Sequence, residues 1–185
     1  MPSLSLVRDP EPPPYEDAEA FRALWRAQHG FVWRVLARLG VPTEALDDAT
    51  QEVFFVAYRR RGDYDVAVPI RSWLYGIARR VASDVRRGHG RAERKLRAMP
   101  SPEHGEDPSE AVSRSEAAAI VIAFLATLDE DTRMAFVLMD LEGMSAPEVA
   151  LGQDVKLNTV YSRLRRARAA FARVVAEHAE AEERR

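Results

Sequence analysis

Arginine is concentrated in one stretch near the C-terminus, from Thr159 to Arg173, which contains five arginines and no acidic residue. A guanidinium group can bind a phosphate, or the edge of a guanine through two hydrogen bonds. Arginine-rich faces also occur on ordinary solvated helices, but those faces usually mix both signs of charge. The apolar residues of the stretch recur at intervals of four, three and four, which predicts a helix that buries one stripe and presents arginine elsewhere. They are Val160, Leu164, Ala167 and Phe171.

The segment before this stretch has the features of a short helix followed by a tight turn. Ser145 and Glu148 are three residues apart, the spacing of a capping box that starts a helix. Gly152 and Asp154 both tolerate the left-handed backbone that a sharp turn requires. A short helix, a tight turn and an arginine-rich helix together predict a helix-turn-helix unit, whose second helix enters the major groove of DNA.

Charge is distributed unevenly along the 185 residues, although the net charge is only −2. Residues 59–97 contain twelve basic and four acidic side chains, which makes them a second basic block. Acidic residues gather instead in residues 11–19, 103–116 and 177–183. Two basic blocks separated by an acidic segment predict two contacts with one polyanion.

The composition argues against several classes of protein. No apolar run approaches the roughly 20 residues that span a bilayer, and the acidic, proline-rich N-terminus differs from a secretory signal. We therefore expect a cytoplasmic protein without membrane insertion. The absence of cysteine excludes cysteine-ligated zinc, iron–sulfur clusters and thiol chemistry within the chain. The four histidines are scattered, and no glycine-rich phosphate loop or nucleophile–base pair is present. We expect no catalytic residue, metal or cofactor, and no enzymatic activity.

Apolar residues recur with helical spacing along most of the chain, and no segment of useful length shows the alternation of a strand. The pattern predicts an all-α protein in which Thr43 is the N-cap of the second helix and Gly88–Gly90 end the third. The helices expected before the helix-turn-helix cover residues 17–39, 43–61, 70–87, 117–128 and 131–141.

These helices group into two small helical domains joined by a tether. The first is a bundle of three to four helices, and the second is a four-helix domain that contains the helix-turn-helix. Proline and glycine among the charged residues between them are typical of a flexible linker. The expected divisions are a disordered N-terminus at 1–15, a first domain at 16–90, an acidic linker at 91–112, a second domain at 113–176 and a charged tail at 177–185.

Three motifs follow one another along the chain: Asp47–Phe54 (DDATQEVF), Arg71–Arg79 (RSWLYGIAR) and the helix-turn-helix. In these motifs the chain resembles bacterial RNA polymerase sigma factors of the extracytoplasmic-function type, over roughly residues 17–90 and 113–173. The resemblance implies that the first domain is sigma region 2 and the second is region 4. It also implies a transcription initiation factor that binds core RNA polymerase and promoter DNA and that is often held by an anti-sigma factor.

The second predicted helix has a face that suits protein docking. Four of its side chains lie at helical spacing on a face distinct from the buried Val53 side. An acidic, amide-bearing face with one aromatic residue fits a protein partner, although on spacing alone an ordinary solvated face fits equally well. The resemblance implies that this face binds the clamp helices of the largest polymerase subunit. Its residues are Asp48, Gln51, Glu52 and Phe55.

The loop Gly62–Pro69 and the third predicted helix correspond, by the same resemblance, to the part that handles the −10 promoter element. Opening a duplex requires trapping bases that leave the stack, which a loop pocket and aromatic surfaces can do. We expect Tyr75 to offer such a stacking surface and Trp73 to belong to the core. The candidate residues are Asp63, Tyr64, Asp65, Tyr75, Arg79, Arg80, Ser83, Arg86 and Arg87.

The arginine-rich helix corresponds, by resemblance, to the recognition helix that reads the −35 element in duplex DNA. Arg165 and Arg166 are expected to face bases, whereas Arg163 and Arg168 are expected to meet phosphates or the domain surface. The candidate residues for the −35 element are Thr159, Tyr161, Ser162, Arg163, Arg165 and Arg166.

The second domain departs from the family pattern at several positions. Asp129 replaces a frequent proline, Gln153 replaces an apolar residue, and Gly152 weakens the end of a helix. These departures predict a looser region 4. A separate hypothesis is that the acidic linker, through residues such as Glu103 and Glu106, screens the basic helices in the free protein.

One alternative function is compatible with the same motifs: a helix-turn-helix transcriptional regulator that does not dock on core polymerase. The acidic, aromatic face of the second helix and the two-domain arrangement argue against it. Binding to core RNA polymerase in the absence of DNA distinguishes the two functions.

Overall fold

The computed structural model describes residues 18–97 and 116–183, and within these ranges all regular structure is helical. The predicted all-α fold is confirmed. The predicted disordered N-terminus and most of the predicted acidic linker, with Glu103 and Glu106, lie outside the described residues. No helix in the described ranges combines the length and the apolar character needed to cross a membrane. The helices are α1 (Ala18–Arg38), α2 (Leu46–Arg59), α3 (Ile70–Arg97), α4 (Glu116–Ala126), α5 (Glu130–Phe136), α6 (Ala146–Gln153) and α7 (Leu157–Glu183).

Helices α1, α2 and α3 form the first helical group, and their apolar stripes face one another. Val35 and Leu36 of α1, with Val53 of α2 and Leu74 of α3, are completely buried. Each such side chain contributes about 1.5–3 kcal/mol when it leaves water. Gly40 follows α1 with a φ of +78°, a conformation that glycine adopts at little cost. The packing leaves the polar faces of α2 and α3 at the surface of this group.

Two helix ends differ from those predicted. Thr43 lies inside a 3₁₀ turn, Thr43–Ala45, and provides no side-chain cap for α2, so its predicted role is wrong. Helix α3 continues through Gly88 and Gly90 to Arg97, so the predicted stop at these glycines is also wrong. A glycine inside a helix costs only about 1 kcal/mol relative to alanine, and the residues that follow are mostly strong helix formers.

Helices α4 to α7 form the second group, in which α5 and α6 have well-defined ends. The Asp129 side chain accepts a hydrogen bond of 2.9 Å from the Thr132 backbone N–H and so caps α5. The Ser145 N–H donates to the Glu148 carboxylate at 2.6 Å in the predicted capping box of α6. Asp154 ends α6 with a φ of +55°. The predicted helix, tight turn and second helix are therefore confirmed.

Gln153, one of the departures behind the predicted looser region 4, is closely held in this structure, while the looseness itself stays a prediction. Gln153 is only 2% exposed, and its amide group donates to the Asp131 carbonyl at 3.2 Å. Its side-chain oxygen accepts from Arg163 at 2.7 Å. A buried amide with these partners stabilises its surroundings because its polar atoms are hydrogen-bonded.

Three phenylalanine rings hold α4, α5 and α7 together. The Phe124 ring centroid lies 5.4 Å from that of Phe136 and 5.1 Å from that of Phe171, and the last two centroids are 5.8 Å apart. Tilted and edge-on aromatic pairs add about 0.5–1.5 kcal/mol each beyond the burial of their area. This cluster anchors the arginine-rich helix α7 to the rest of its group.

The two helical groups share one continuous core, because α6 packs directly against α3. Gly152 of α6 lies on the ring of Tyr75: a Cβ atom at this position would stand 2.9 Å from Tyr75 Cδ1 and 3.4 Å from the Ser72 carbonyl oxygen. Glycine therefore permits an approach that any side chain would obstruct. The sequence predicted two domains on a tether, whereas the structure shows them in direct contact.

Candidate functional site

Helix α2 presents its predicted docking residues to solvent. Asp48, Gln51 and Glu52 are exposed, and Phe55 keeps 55% of its surface accessible. The other side of the helix is held in the core by Val53, which is completely buried. We call the four exposed residues the docking face. The structure confirms that they share one surface, while their role stays a prediction.

Two exposed aromatic residues beside the docking face were missed by sequence reasoning. Trp25 of α1 is 42% exposed and Tyr58 of α2 is 40% exposed. The Phe21 ring centroid lies 5.0 Å from that of Tyr58, and the Trp25 centroid lies 6.5 Å from that of Phe54. Tyr58 follows Phe55 by three residues, so helical spacing contained the signal for its position. Trp25 joins the surface only through packing of α1 on α2. Exposed aromatic residues are typical of protein interfaces.

The loop between α2 and α3 folds onto the first turn of α3. The Tyr64 hydroxyl donates to the Val68 carbonyl at 2.5 Å, and its ring centroid lies 4.9 Å from that of Trp73. The Asp65 carboxylate accepts the backbone N–H two residues later at 2.9 Å. Burial, together with the nearby Asp65 charge, raises the pKa of the Tyr64 hydroxyl. The loop thus holds a neutral aromatic ring beside Trp73, with Asp63 exposed next to it.

Tyr75 is not the exposed stacking surface that the sequence predicted. It is only 1% exposed, and burial raises its pKa to about 12. Gly152 lies against the ring, and the Gln153 side chain lies near its hydroxyl. The predicted placement is wrong because the covering residues belong to the second helical group, which spacing within α3 does not reveal. Trp73, which was expected in the core, is half-buried.

The far part of α3 exposes three of the predicted −10 candidates to different degrees. Arg80 and Arg87 are exposed, and Ser83 is half-buried. Arg87 donates to the Ser83 hydroxyl at 2.9 Å and forms an ion pair with Asp84 one turn away. These side chains give one face of α3 an exposed, positively charged surface that can meet a phosphate backbone.

Two other predicted −10 candidates are only partly exposed, because they contact the second helical group. Arg86 donates to the Glu130 carboxylate at 2.6 Å. Arg79 donates to the Gln153 carbonyl at 3.4 Å, and its guanidinium lies 3.9 Å from the Asp131 carboxylate. In this structure Arg86 is therefore paired with a carboxylate of α5, and Arg79 makes longer contacts with α5 and α6.

Helix α7 presents most of the predicted −35 candidates to solvent, while its apolar stripe packs inward as predicted. Tyr161 is 51% exposed, and Arg165 and Arg166 are exposed. Thr159 and Ser162 are half-buried, and the Ser162 hydroxyl donates to the Thr159 carbonyl at 2.9 Å. These exposed side chains place hydrogen-bond donors on the surface of a helix that can enter a DNA groove.

Arg163, predicted to face DNA, instead faces the interior of its own group. Its side chain is 13% exposed, and its guanidinium donates to the Asp131 carboxylate at 2.5 Å and to Gln153 at 2.7 Å. In this structure Arg163 therefore meets the domain surface, one of its two predicted options, while its role at the −35 element stays a prediction. Arg168 binds both carboxylate oxygens of Asp140, at 3.0 and 2.6 Å, which raises the pKa of its guanidinium.

These surfaces offer the chemistry of recognition: guanidinium groups, hydroxyl groups and aromatic rings. Within residues 18–97 and 116–183, no three histidine, aspartate or glutamate side chains lie close enough together to hold a metal ion. The arrangement suits a polyanion on α3 and α7 and a protein partner on α2.

Comparison with known proteins decides the family. Residues 19–92 match the family Sigma-70 region 2, and residues 118–171 match Sigma-70, region 4. The ECF RNA polymerase sigma factor SigC of Mycobacterium tuberculosis is 32% identical over 155 residues, which cover 84% of this chain and 83% of that relative. The chain belongs to the extracytoplasmic-function sigma factors. This sigma factor directs promoter-specific initiation of transcription, and the helix-turn-helix built by α6 and α7 belongs to its region 4.

Other relatives agree with this membership. The ECF RNA polymerase sigma-E factor of Escherichia coli K12 is 33% identical over 166 residues, covering 84% of this sigma factor and 86% of that relative. The ECF RNA polymerase sigma factor SigE of Mycolicibacterium smegmatis is 31% identical over 152 residues, covering 80% of this chain. The chain spans only 58% of the length of that last relative.

Solved structures resemble this sigma factor across both helical groups. The structure of CnrH in complex with the cytosolic domain of CnrY has a TM-score of 0.65 and 25% identity, and covers 88% of this chain and 91% of its own. The sigma factor RpoE of Bartonella quintana, in complex with the anti-sigma factor NepR, has a TM-score of 0.67 and 18% identity, with 85% and 98% coverage. At 18% identity, the similarity to RpoE shows a shared fold and nothing more.

Proposed function

We propose that this sigma factor docks on core RNA polymerase through the docking face of α2. The observation that carries the proposal is an acidic and aromatic surface left bare on a helix whose other side is locked into the core. Because the surface is already formed, binding requires little ordering of side chains and backbone. Trp25 and Tyr58 extend the same surface with apolar area, which is where interfaces gain most of their energy.

We propose that the loop before α3 and the basic face of α3 handle the −10 element. Arg80 and Arg87 supply exposed positive charge for the DNA backbone. The Tyr64 and Trp73 rings, 4.9 Å apart at one end of that face, supply aromatic surface for an unstacked base. Stacking of this kind contributes about 1–3 kcal/mol per base.

We propose that α7 reads the −35 element in duplex DNA. Arg165 and Arg166 are exposed on the helix that follows the tight turn, and Tyr161 lies on the same exposed surface. A bidentate arginine–guanine pair discriminates against a wrong base by about 1–3 kcal/mol. Thr159 and Ser162, near the start of the helix, support backbone contacts.

The proposal assigns recognition and strand opening to this chain and the synthesis of RNA to the polymerase, so the chain itself needs no catalytic residue. It places the protein in the cytoplasm with the polymerase. We also propose an anti-sigma partner, which is supported by the solved RpoE structure that contains the anti-sigma factor NepR and by the CnrH structure that contains the cytosolic domain of CnrY.

The experiment that tests docking is binding of the labelled protein to purified core RNA polymerase without DNA. Wild-type protein should bind tightly, and the variant Asp48→Arg/Gln51→Ala should lose most of its affinity because both changes lie on the docking face. Glu177→Arg, a charge reversal on an exposed part of α7, is the matched control and should bind as wild type. A folded wild-type protein that does not bind would leave a regulator without polymerase docking as the better account.

A further inference from the structure

Four aromatic side chains gather at the end of region 2 that holds the start of α1 and the end of α2. We call them the aromatic patch: Phe21 and Trp25 of α1, with Phe55 and Tyr58 of α2. The last three are 42%, 55% and 40% exposed, and Phe21 packs edge-on against Tyr58 with ring centroids 5.0 Å apart. Exposed apolar area gathered in one place on a protein surface indicates a binding site.

We propose that the aromatic patch binds a segment of this same chain, Asp9–Asp17, which lies outside the described residues and which we call the proline segment. Its sequence is DPEPPPYED, with four prolines, four acidic residues and one tyrosine. Proline-rich sequences favour the extended polyproline II conformation, which loses little conformational entropy on binding and docks in aromatic-lined grooves. The proline segment needs no helix or strand of its own to make this contact.

Arginines beside the aromatic patch favour an acidic occupant. The Arg61 guanidinium carbon lies 4.2 Å from the centre of the Tyr58 ring. The Arg59 guanidinium carbon lies 5.6 Å from the centre of the Phe55 ring. Arg22 is exposed on the adjoining part of α1. The proline segment has acidic residues on both sides of its prolines and no basic residue, so its carboxylates can form charge-assisted hydrogen bonds with these guanidinium groups.

The proline segment is long enough to reach the aromatic patch. It directly precedes Ala18, where α1 begins, and Trp25 lies seven residues further along the helix. Seven helical residues span about 10 Å, whereas nine residues of polyproline II span about 28 Å. The segment can therefore turn back at the start of α1 and cover the patch. A short tether gives it an effective concentration in the millimolar range, which favours it over the same segment of a second copy.

Occupancy of the aromatic patch has a consequence for polymerase binding. Phe55 belongs to the docking face, and Trp25 and Tyr58 extend that surface. Core polymerase therefore has to displace the proline segment before it gains the aromatic part of the surface. The competition rests on the proposed docking role of α2, whereas binding of the segment to the patch does not.

The indole N–H resonance of Trp25 reports on the patch in the full-length free protein. The chain has three tryptophans, and loss of one signal in Trp25→Phe assigns the resonance of interest. The test protein, called the serine variant, carries Pro10→Ser, Pro12→Ser, Pro13→Ser and Pro14→Ser. The serine variant should shift the Trp25 resonance, because its segment has lost the rings and the stiffness that favour docking, and should leave the Trp33 and Trp73 resonances in place.

Matched replacements elsewhere in the chain control for the loss of proline. The control protein carries Pro100→Ser, Pro102→Ser and Pro108→Ser, and all three of its indole resonances should coincide with those of the wild type. Asp9→Lys/Glu11→Lys keeps every proline and should move the Trp25 resonance in the same direction as the serine variant, because it opposes the arginines. A Trp25 resonance that is the same in the wild type and the serine variant would overturn the proposed contact.

Dilution distinguishes the two possible sources of the segment. Contact within one chain does not depend on protein concentration, so the wild-type Trp25 resonance should stay in place on about tenfold dilution. Movement of that resonance toward its position in the serine variant would show that the segment comes from a second copy, which would overturn binding within one chain.

Affinity for purified core RNA polymerase tests the competition. The serine variant should bind about tenfold more tightly than the wild type, the gain expected when the competent form rises from one part in ten to most of the population. The control protein with the three other prolines replaced should bind as the wild type does. Equal affinity of the serine variant and the wild type would overturn the competition. If neither binds polymerase, the proposed function of α2 fails, while the Trp25 resonance still decides whether the segment docks.

Discussion

Replacement of Arg163 by alanine separates a structural role from a DNA contact. Its guanidinium donates to Asp131 at 2.5 Å and to Gln153 at 2.7 Å, and its side chain is 13% exposed. The change removes the group that connects α7 to α5 and to the end of α6. We therefore expect a loss of stability, with little change in the affinity of the folded variant for DNA.

The size of the loss can be worked out from these contacts. Removing a hydrogen bond that involves a charged group costs about 1.5–3 kcal/mol. The bond to Asp131 belongs at the low end, because 40% of the Asp131 side chain is exposed and water replaces the lost partner. Gln153 is only 2% exposed, so its oxygen is left without a partner, which adds about 1 kcal/mol or more. We expect Arg163→Ala to lower the free energy of unfolding by about 3 kcal/mol.

Urea unfolding followed by circular dichroism measures this loss, with Arg165→Ala as the matched control. Arg165 is exposed on the same helix, so its replacement should change the free energy of unfolding by no more than about 0.5 kcal/mol. Fluorescence anisotropy with duplex DNA at several salt concentrations measures the DNA affinity of the folded variant and its dependence on salt. Loss of one phosphate contact reduces the salt slope by about one. We expect Arg163→Ala to keep the salt slope of the wild-type protein. A stable Arg163→Ala variant with a reduced salt slope would refute the reasoning and return Arg163 to the DNA interface.

Arg166→Ala should weaken binding to a duplex that carries the guanine it contacts by about 1–3 kcal/mol, measured by competition against a random duplex; an equal loss on both duplexes would reduce its role to a phosphate contact. The pKa values of Asp129 and Glu148 are lowered, because the backbone N–H groups of Thr132 and Ser145 donate to their carboxylates. Both carboxylates bind protons more readily in the unfolded chain, so their stabilisation is present at neutral pH. It begins to fall as the pH drops below about 4, the ordinary range of these carboxylates, and is lost completely only below their lowered pKa values. Urea midpoints across that range should fall accordingly. Asp129→Ala should cost about 1 kcal/mol at neutral pH and make the fall with acid shallower; an unchanged slope would show that Asp129 does not contribute to it.

Local signals in the sequence were sufficient for much of this protein. The apolar intervals of α7 predicted which side of the helix is buried, because helical geometry relates spacing to direction. Ser145 and Glu148 predicted the start of α6, because a capping box involves only residues within one turn. The exposure of the docking face followed from the same regularity. These features depend on neighbours within a few residues, which the sequence lists directly.

Other features depended on residues far apart in the chain. Tyr75 is buried because Gly152 of α6 lies on its ring. Arg163 turns inward because Asp131 of α5 accepts its hydrogen bond. Helical spacing within α3 or α7 identifies which residues share a face, but it does not identify what another helical group places on that face. The sequence by itself determined the helical fold, the capping box of α6 and the family, whereas only tertiary packing decided which arginines and aromatic rings remain exposed.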